Sequence, residues 1–326
     1  MQDSWARARL ALADAGVAPD RLAAVRPLGG GTYNTVQELR LTDGERYVLK
    51  VAPTAPGLRY ETRLLVAEAE FCRAAEAAGV PAPRAVALGA GADGPRLLLT
   101  ACPGEPWDDS LTESERSSLR TELGRQVARL HRVRGPGGYG YPSGALGPLA
   151  ADWRTAFTTM FDAVLDDARR YRARLPRPVE EVARTARAAH GALDEVTVAR
   201  PVHFDLWQGN VLVDRSAGPA RIGGLIDGER MFWGDPLADF VSLALLGDIR
   251  KEEAFLAGYR AAGGHAEFGT AACLRLALYR SYLCLIMLTE TVPRAVGAEH
   301  DRWVRETAGP ELVAALDEIA ELAPPS

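Results

Sequence analysis

The stretch H-F-D-L-W-Q-G-N-V-L-V-D (203–214) holds the densest set of reactive side chains in the chain. Asp205 and Asn210 stand five apart, just ahead of a short apolar run, and a second run, R-I-G-G-L-I, ends in Asp227. Phosphoryl transfer asks for these parts: a carboxylate that takes the proton of an attacking hydroxyl, and oxygen donors that hold Mg²⁺ against phosphates. Asn210 and Asp227, at the two ends of a hairpin, would clamp the metal, and Asp205 would face the hydroxyl. Asp and Asn are also common turn formers; the carboxylate closing the second strand is what favours chemistry. Upstream, Lys50 closes the apolar strand R-Y-V-L-K. An ammonium at the end of a buried strand needs a negative partner, which phosphates supply. Glu68 on the next helix is expected to orient it, because that register leaves Phe71 and Ala75 to pack inward; Glu70 and Glu61 are the alternatives. The segment G-G-G-T-Y-N-T-V (29–36), with Gly30, Gly31 and Thr32, is a weak phosphate-loop signal that does not match G-x-G-x-x-G.

These residues need elements to position them. Strands are expected at 23–27, 37–41 and 46–51, the last two joined at Asp43-Gly44, a dipeptide that tolerates the positive φ of a tight hairpin. A helix follows over 60–78, stopped by Gly79 and Pro81. Strands at 85–88 and 96–100 complete a small antiparallel sheet with one helix. Beyond Pro103-Gly104 the pattern turns helical. Ser110 with Glu113 reads as a capping box opening a helix whose body is 119–131. Further helices are expected at 153–174, 179–195, 237–246, 252–262 and 273–290, with strands at 211–213 and 221–226 among them.

The chain has 326 residues, 47% hydrophobic and 25% charged, an ordinary globular mix. Its net charge of −5 disfavours nucleic acid as a partner. Cys72, Cys102, Cys273 and Cys284 form no C-x-x-C pair and read as small buried apolar residues. No signal peptide is visible, and the apolar stretch 274–288 is interrupted by Arg275 and Arg280 and is too short to span a bilayer. A soluble, cytoplasmic protein without a membrane partner is expected, as a monomer or homodimer.

Taken together, the markers resemble the aminoglycoside phosphotransferase family, the small-molecule branch of the protein-kinase-like fold that also includes fructosamine, choline and homoserine kinases. They are Lys50, Glu68 with G-V-P-A-P (79–83), L-L-L-T-A-C-P-G (97–104), L-G-R-Q-V-A-R-L-H (123–131), H-F-D-L-W-Q-G-N and L-I-D-G-E-R-M-F-W-G-D-P-L-A-D-F (225–240). The resemblance runs from about Leu22 to about Arg294. It implies an α+β, bilobal fold: a nucleotide-binding lobe over 1–102 and a larger, mostly helical lobe over 103–326 with the catalytic loop, metal site and acceptor pocket. By it Asp205 is the catalytic aspartate, Asn210 and Asp227 bind Mg²⁺, and Lys50 with Glu68 orients the phosphates of ATP or GTP. Thr100, Ala101 and Cys102 would form the hinge that reads the base, and Asp235 and Asp239 would hold the catalytic loop. Two departures stand out. Phe204 replaces the glycine most relatives carry between the His and Asp, and Gly228 stands where many carry a large aromatic residue.

The acceptor is expected to be a hydroxylated small molecule: an aminoglycoside, amino sugar or related antibiotic, or alternatively a fructosamine, sugar, choline or homoserine. Carboxylates that could meet ammonium groups are Glu229, Glu290, and Asp162 with Asp166 and Asp167 on one helix, where Asp162 and Asp166 share a face. Trp207 and Trp233 are candidate sugar-stacking platforms or packing residues, and His203 reads as a core histidine pinning the loop. A Ser/Thr protein kinase is disfavoured, since H-R-D, D-F-G and A-P-E motifs are absent. A non-catalytic nucleotide-binding module would be expected to lack Asp205 or Asp227, and both are present.

Overall fold

The computed structural model describes residues 2–29, 33–54, 57–91 and 94–323. The chain opens with helix α1 (Gln2–Asp14), then strands β1 (Leu22–Pro27), β2 (Thr35–Leu41) and β3 (Arg46–Val51), helix α2 (Leu64–Ala78), and strands β4 (Ala85–Gly91) and β5 (Gly94–Thr100). The five strands form one antiparallel sheet in the order β1-β2-β3-β5-β4. Lys50 pairs with Val36 on one side and Leu97 on the other, which places it on the central strand.

The sheet buries both of its faces. On one, α2 packs Leu65, Phe71 and Ala75 against Leu97 and Leu99. On the other, α1 lays Ala8, Ala11 and Leu12 over Leu39, Leu49 and Leu98, forming a core of its own. The sheet therefore carries two helices where one is expected. Helix α2 begins at Leu64, after a single 3-10 turn over Arg59–Arg63, and ends on Gly79, whose φ of +62° gives the left-handed cap that favours glycine.

The second part holds β6 (Glu105–Pro106), α3 (Glu113–Leu130), α4 (Trp153–Tyr171), α5 (Val179–Ala188), β7 (Arg200–Val202), β8 (Val211–Asp214), β9 (Arg221–Leu225), β10 (Phe232–Gly234), α6 (Leu237–Leu243), α7 (Glu253–Ala261), α8 (Thr270–Glu290) and α9 (Ala298–Leu322). The capping box sits two residues later than expected, at Thr112 and Glu115. Asp108 takes both the N–H (2.9 Å) and the hydroxyl (2.6 Å) of Ser110, so that residue closes the preceding turn and is lost to the helix. Helix α8 is apolar enough to cross a membrane by length and composition alone, yet 78% of its most apolar window is buried inside the protein. It is the central core helix, against α4, α6 and α9.

Candidate active site

Asn210 and Asp227 are brought together by the hairpin β8–β9, in which Val211 faces Leu225. The Ile226 N–H donates to the Asn210 carbonyl at 3.0 Å, so the two candidate ligands flank one backbone bridge. Asn210 donates its side-chain N–H to the Asp205 backbone carbonyl (2.7 Å) and to Asp205 Oδ2 (3.2 Å). Its amide oxygen is thereby turned away from Asp205 and remains as a donor for a cation.

Three buried anchors hold the loop carrying Asp205. Asp239 accepts the Phe204 N–H at 2.8 Å, and its other oxygen pairs with His131 Nε2 at 2.9 Å. Ser242 accepts the Leu206 N–H at 3.0 Å. His203 is wholly buried and binds the Ile226 carbonyl at 2.9 Å, tying the loop to the hairpin as expected of a core histidine. Asp235 accepts from Tyr279 (2.8 Å) and lies 2.9 Å from Arg275, so it fixes β10 and α6 rather than touching the loop itself.

Phe204 adopts φ +61°, the left-handed region that disfavours side chains, which is the backbone demand a glycine meets at no cost. Its ring is fully buried against Phe232 and Tyr282. Gly228 has a matching explanation: a Cβ there would come within 2.3 Å of the Phe71 ring. Phe71 of α2 fills the space, edge-on to His203.

Lys50 reaches from β3 to Glu68 Oε1 at 2.6 Å, also contacts Asp227, and lies 3.7 Å from Glu229. Burial by itself would depress the Lys50 pKa, but Glu68, Asp227 and Glu229 outweigh it and hold the ammonium above its usual range. The alternatives to Glu68 have other partners: Glu70 pairs with Arg73 on the surface, and Glu61 accepts the Leu58 N–H and pairs with Arg294. Asp205 is pushed up to about 7, chiefly by burial, with Asp227, Glu290 and Glu229 adding to the rise and Arg230 opposing it.

Arg230 and Arg294 are residues that sequence reasoning missed. Arg230 Nε lies 3.8 Å from Asp205 Oδ2, and its Nη2 donates to Glu290 at 2.9 Å. Arg294 joins Glu290 at 3.1 Å and stacks over Tyr33. Position 230, three residues past Asp227, is the signal that could have found the first.

The candidate acceptor residues separate. Glu229 and Glu290 lie at the site, the first bonded by Asn34 and the second by both arginines. Asp162 is exposed on α4, and Asp166 beside it pairs with Arg59 (2.9 Å) and Arg169 (3.0 Å). Asp167 points inward and accepts the Arg59 N–H at 2.8 Å. The shared face of Asp162 and Asp166 is thus a solvated one, and neither residue contacts the catalytic loop. Trp233 is buried on β10, opposite Pro201, so it packs the core and offers no platform. Trp207 is 43% exposed and lines a shallow groove with Arg120 and Leu243 that contains neither Asp205 nor Asp227.

Thr100 ends β5, and Ala101 donates its N–H to the Arg46 carbonyl at 3.2 Å. Cys102 packs on Gly224 of β9, and burial pushes its thiol up to about 11, which suits packing and not nucleophilic attack. The expected phosphate-loop residues Gly30, Gly31 and Thr32 lie outside the described residues.

A profile of the phosphotransferase enzyme family (APH) matches residues 24–276, and no curated protein matches the chain. Among solved structures, a candidate fructosamine-3-kinase of Thermobifida fusca is 22% identical, with a TM-score of 0.68 over 96% of this chain and 99% of its own. A thermostable mutant of aminoglycoside phosphotransferase APH(4)-Ia, in ternary complex with AMP-PNP and hygromycin B, is 16% identical, with a TM-score of 0.64 over 96% and 98%. The microcompartment-associated aminopropanol kinase is 21% identical, with a TM-score of 0.63 over 97% and 98%. The protein-kinase-like fold extends over nearly the whole chain, and the family match spans Lys50, Glu68, the catalytic loop and the hairpin. The protein therefore belongs to the phosphotransferase enzyme family.

Proposed function

We propose that the protein transfers the γ-phosphate of ATP or GTP, with Mg²⁺, directly to a hydroxyl of a small metabolite-type acceptor: a fructosamine, sugar or amino alcohol in preference to a polycationic aminoglycoside. The observation that carries the phosphoryl-transfer part is the convergence of Lys50–Glu68, Asp205 and the Asn210/Asp227 pair on one cleft. Asn210 and Asp227 supply the oxygen donors that suit magnesium, which would neutralise phosphate charge when bound. Lys50, held by Glu68, orients the phosphates. Asp205 accepts the hydroxyl proton; its raised pKa brings it near neutral pH, where a general base combines adequate basicity with availability.

The acceptor preference rests on charge. A polycation needs unengaged carboxylates, but Glu290 is bound by two arginines and Glu229 by Asn34, and Arg230 stands beside Asp205. Asp162 and Asp166 lie elsewhere.

The test is an ATP- and GTP-consumption screen over fructosamines, sugars, amino alcohols, choline, homoserine and aminoglycosides, paired with calorimetric titration of two variants with Mg·ATP. Asp227→Ala should lose both turnover and Mg·ATP affinity. Asp205→Ala should keep affinity while kcat falls about 10²–10⁴-fold, the usual cost of losing a general base. Equal loss of affinity in both variants would overturn the assignment of base and metal ligand. Turnover confined to aminoglycosides would overturn the acceptor class.

A further inference from the structure

We infer that the helical lobe carries a second ligand site, behind the catalytic loop, for a small molecule bearing a phosphate or a comparable multivalent oxyanion. A cavity of about 760 Å³ opens between the end of α3, the start of α6, α7 and the beginning of α8. That volume falls in the ordinary range for small-molecule sites, about 300–1,000 Å³. None of Lys50, Glu68, Asp205, Asn210, Asp227 or Arg230 lines it, so it is separate from the catalytic cleft.

Its charges are unbalanced. Four arginines line it (Arg132, Arg134, Arg200 and Arg275) against three carboxylates. Two of those carboxylates are already spent: Arg275 holds Glu195 at 2.5 Å and Asp235 at 2.9 Å. The third, Glu267, faces His265 at 3.7 Å. Among the described residues, no carboxylate lies within ion-pair reach of Arg132, Arg134 or Arg200. Two of the three are nevertheless held in place. Arg200 Nη1 donates to the Arg132 carbonyl at 2.7 Å, and Arg132 donates to the Ala262 carbonyl. A guanidinium has five N–H donors, so these anchors leave edges for an oxyanion.

A separate element adds the same sign. Helix α8, 21 residues long, begins in the cavity wall at Thr270, and its N-cap Gly269 offers no side chain to the first-turn N–H groups. Those N–H groups and the positive end of the helix dipole favour an anion. A cation would be repelled by the arginines and the helix end alike. The wall also borders the catalytic machinery: His131, which lines the cavity, holds Asp239, and Asp239 holds the Phe204 N–H.

The test uses the full chain and reads binding, so it stands or falls independently of the proposed phosphoryl transfer. Thermal melts and calorimetric titrations with sodium phosphate and with sodium citrate are compared with sodium chloride at matched ionic strength, with and without saturating Mg·AMP-PNP. Saturable binding that survives Mg·AMP-PNP is expected. It should weaken at least fivefold in Arg200→Ala and in the exposed double variant Arg132→Ala/Arg134→Ala, and be partly kept in Arg200→Lys. Tighter binding of phosphate identifies a phosphorylated ligand, and tighter binding of citrate a polycarboxylate. Absence of saturable binding, equal affinity in wild type and the double variant, or loss of binding when Mg·AMP-PNP is present would overturn the site.

Discussion

Replacing Phe204 by glycine sets two opposing terms against each other at the catalytic loop. The residue holds φ +61°, a conformation that costs a non-glycine residue roughly 1–2 kcal/mol, and glycine would remove that cost. The same change deletes a fully buried aromatic ring that touches Phe232 (centroids 5.1 Å apart) and Tyr282 (5.5 Å), and emptying such a site costs about 3–5 kcal/mol. Packing should win, with Phe204→Gly less stable than wild type by about 2–3 kcal/mol, or about 3–4 °C in unfolding midpoint for a protein this large. Phe204→Ala isolates the backbone term, because it loses the ring and keeps the strained angle. Part of glycine's advantage is returned as extra freedom in its unfolded chain, so alanine should fall below glycine by about 1 kcal/mol. Urea and thermal unfolding of the three proteins, followed by fluorescence and circular dichroism, give the order wild type, glycine, alanine. Alanine equal to or more stable than glycine would refute the left-handed backbone at 204. Glycine as stable as wild type would refute the packing role of the ring.

Gly228→Ala would drive a Cβ into Phe71 and push α2, with Glu68, away from Lys50; the nucleotide KM should rise several-fold and recover in part in Gly228→Ala/Phe71→Ala, which removes the ring atoms the new Cβ meets, and an unchanged KM in the single variant would sink the reasoning. Lys50→Ala should raise the nucleotide KM and lower kcat with the fold intact by circular dichroism, whereas unchanged kinetics would show that another residue meets the phosphates. Asp205→Asn tests the half-buried carboxylate. The folded pKa of Asp205, about 7, lies above its ordinary 3.8, so the native state binds the proton more tightly and wild type loses stability as pH rises from 3.8 through 7. The side chain is 30% exposed, which discounts the effect to about 1–3 kcal/mol. In metal-free buffer the asparagine variant should therefore gain on wild type between pH 5 and 8, and a pH-independent difference in melting temperature would contradict this.

The parts of the fold legible in the sequence are those with a local cause. Asp43-Gly44 closes the β2–β3 hairpin, Gly79 stops α2, and Lys50 and Glu68 meet because strand and helix periodicity each place one inward-facing side chain at that depth. Asn210 and Asp227 could be placed side by side because one hairpin separates them, and Asp205 near them because it stands only five residues ahead of Asn210. What escaped depends on tertiary partners. Helix α1 buries little besides Ala8, Ala11 and Leu12, and makes sense only against the outer face of the sheet. Helix α9 runs through Gly309-Pro310, a pair that reads as a stop, because Leu312, Leu316 and Ile319 pack into the core. Asp162 and Asp166 do share a helix face, but periodicity says nothing about whether that face meets a cleft or water. Trp207 and Trp233 have the same side chain on either side of the hairpin, and only the pairing of β10 with β7 shows which one is buried.

The hairpin that carries both oxygen donors has a consequence for how the enzyme tolerates change in chain length. The separation of Asn210 and Asp227 is written in strand register, one backbone bridge apart, and does not depend on how the sheet sits above the helical part. Lys50, by contrast, comes from the sheet and shifts with it. Extra residues at the hairpin tip, beyond the Asp214–Arg221 ion pair, would lengthen a loop without moving either donor. A single residue inserted within β8 or β9 would reverse the facing of everything between the insertion and the site, separating the donors although every functional side chain remained. Added residues are thus expected to be tolerated in the turn between 214 and 221, beyond the register shift at Leu212/Val213, and not in the paired stretch that joins Val211 to Leu225 beside the two donors.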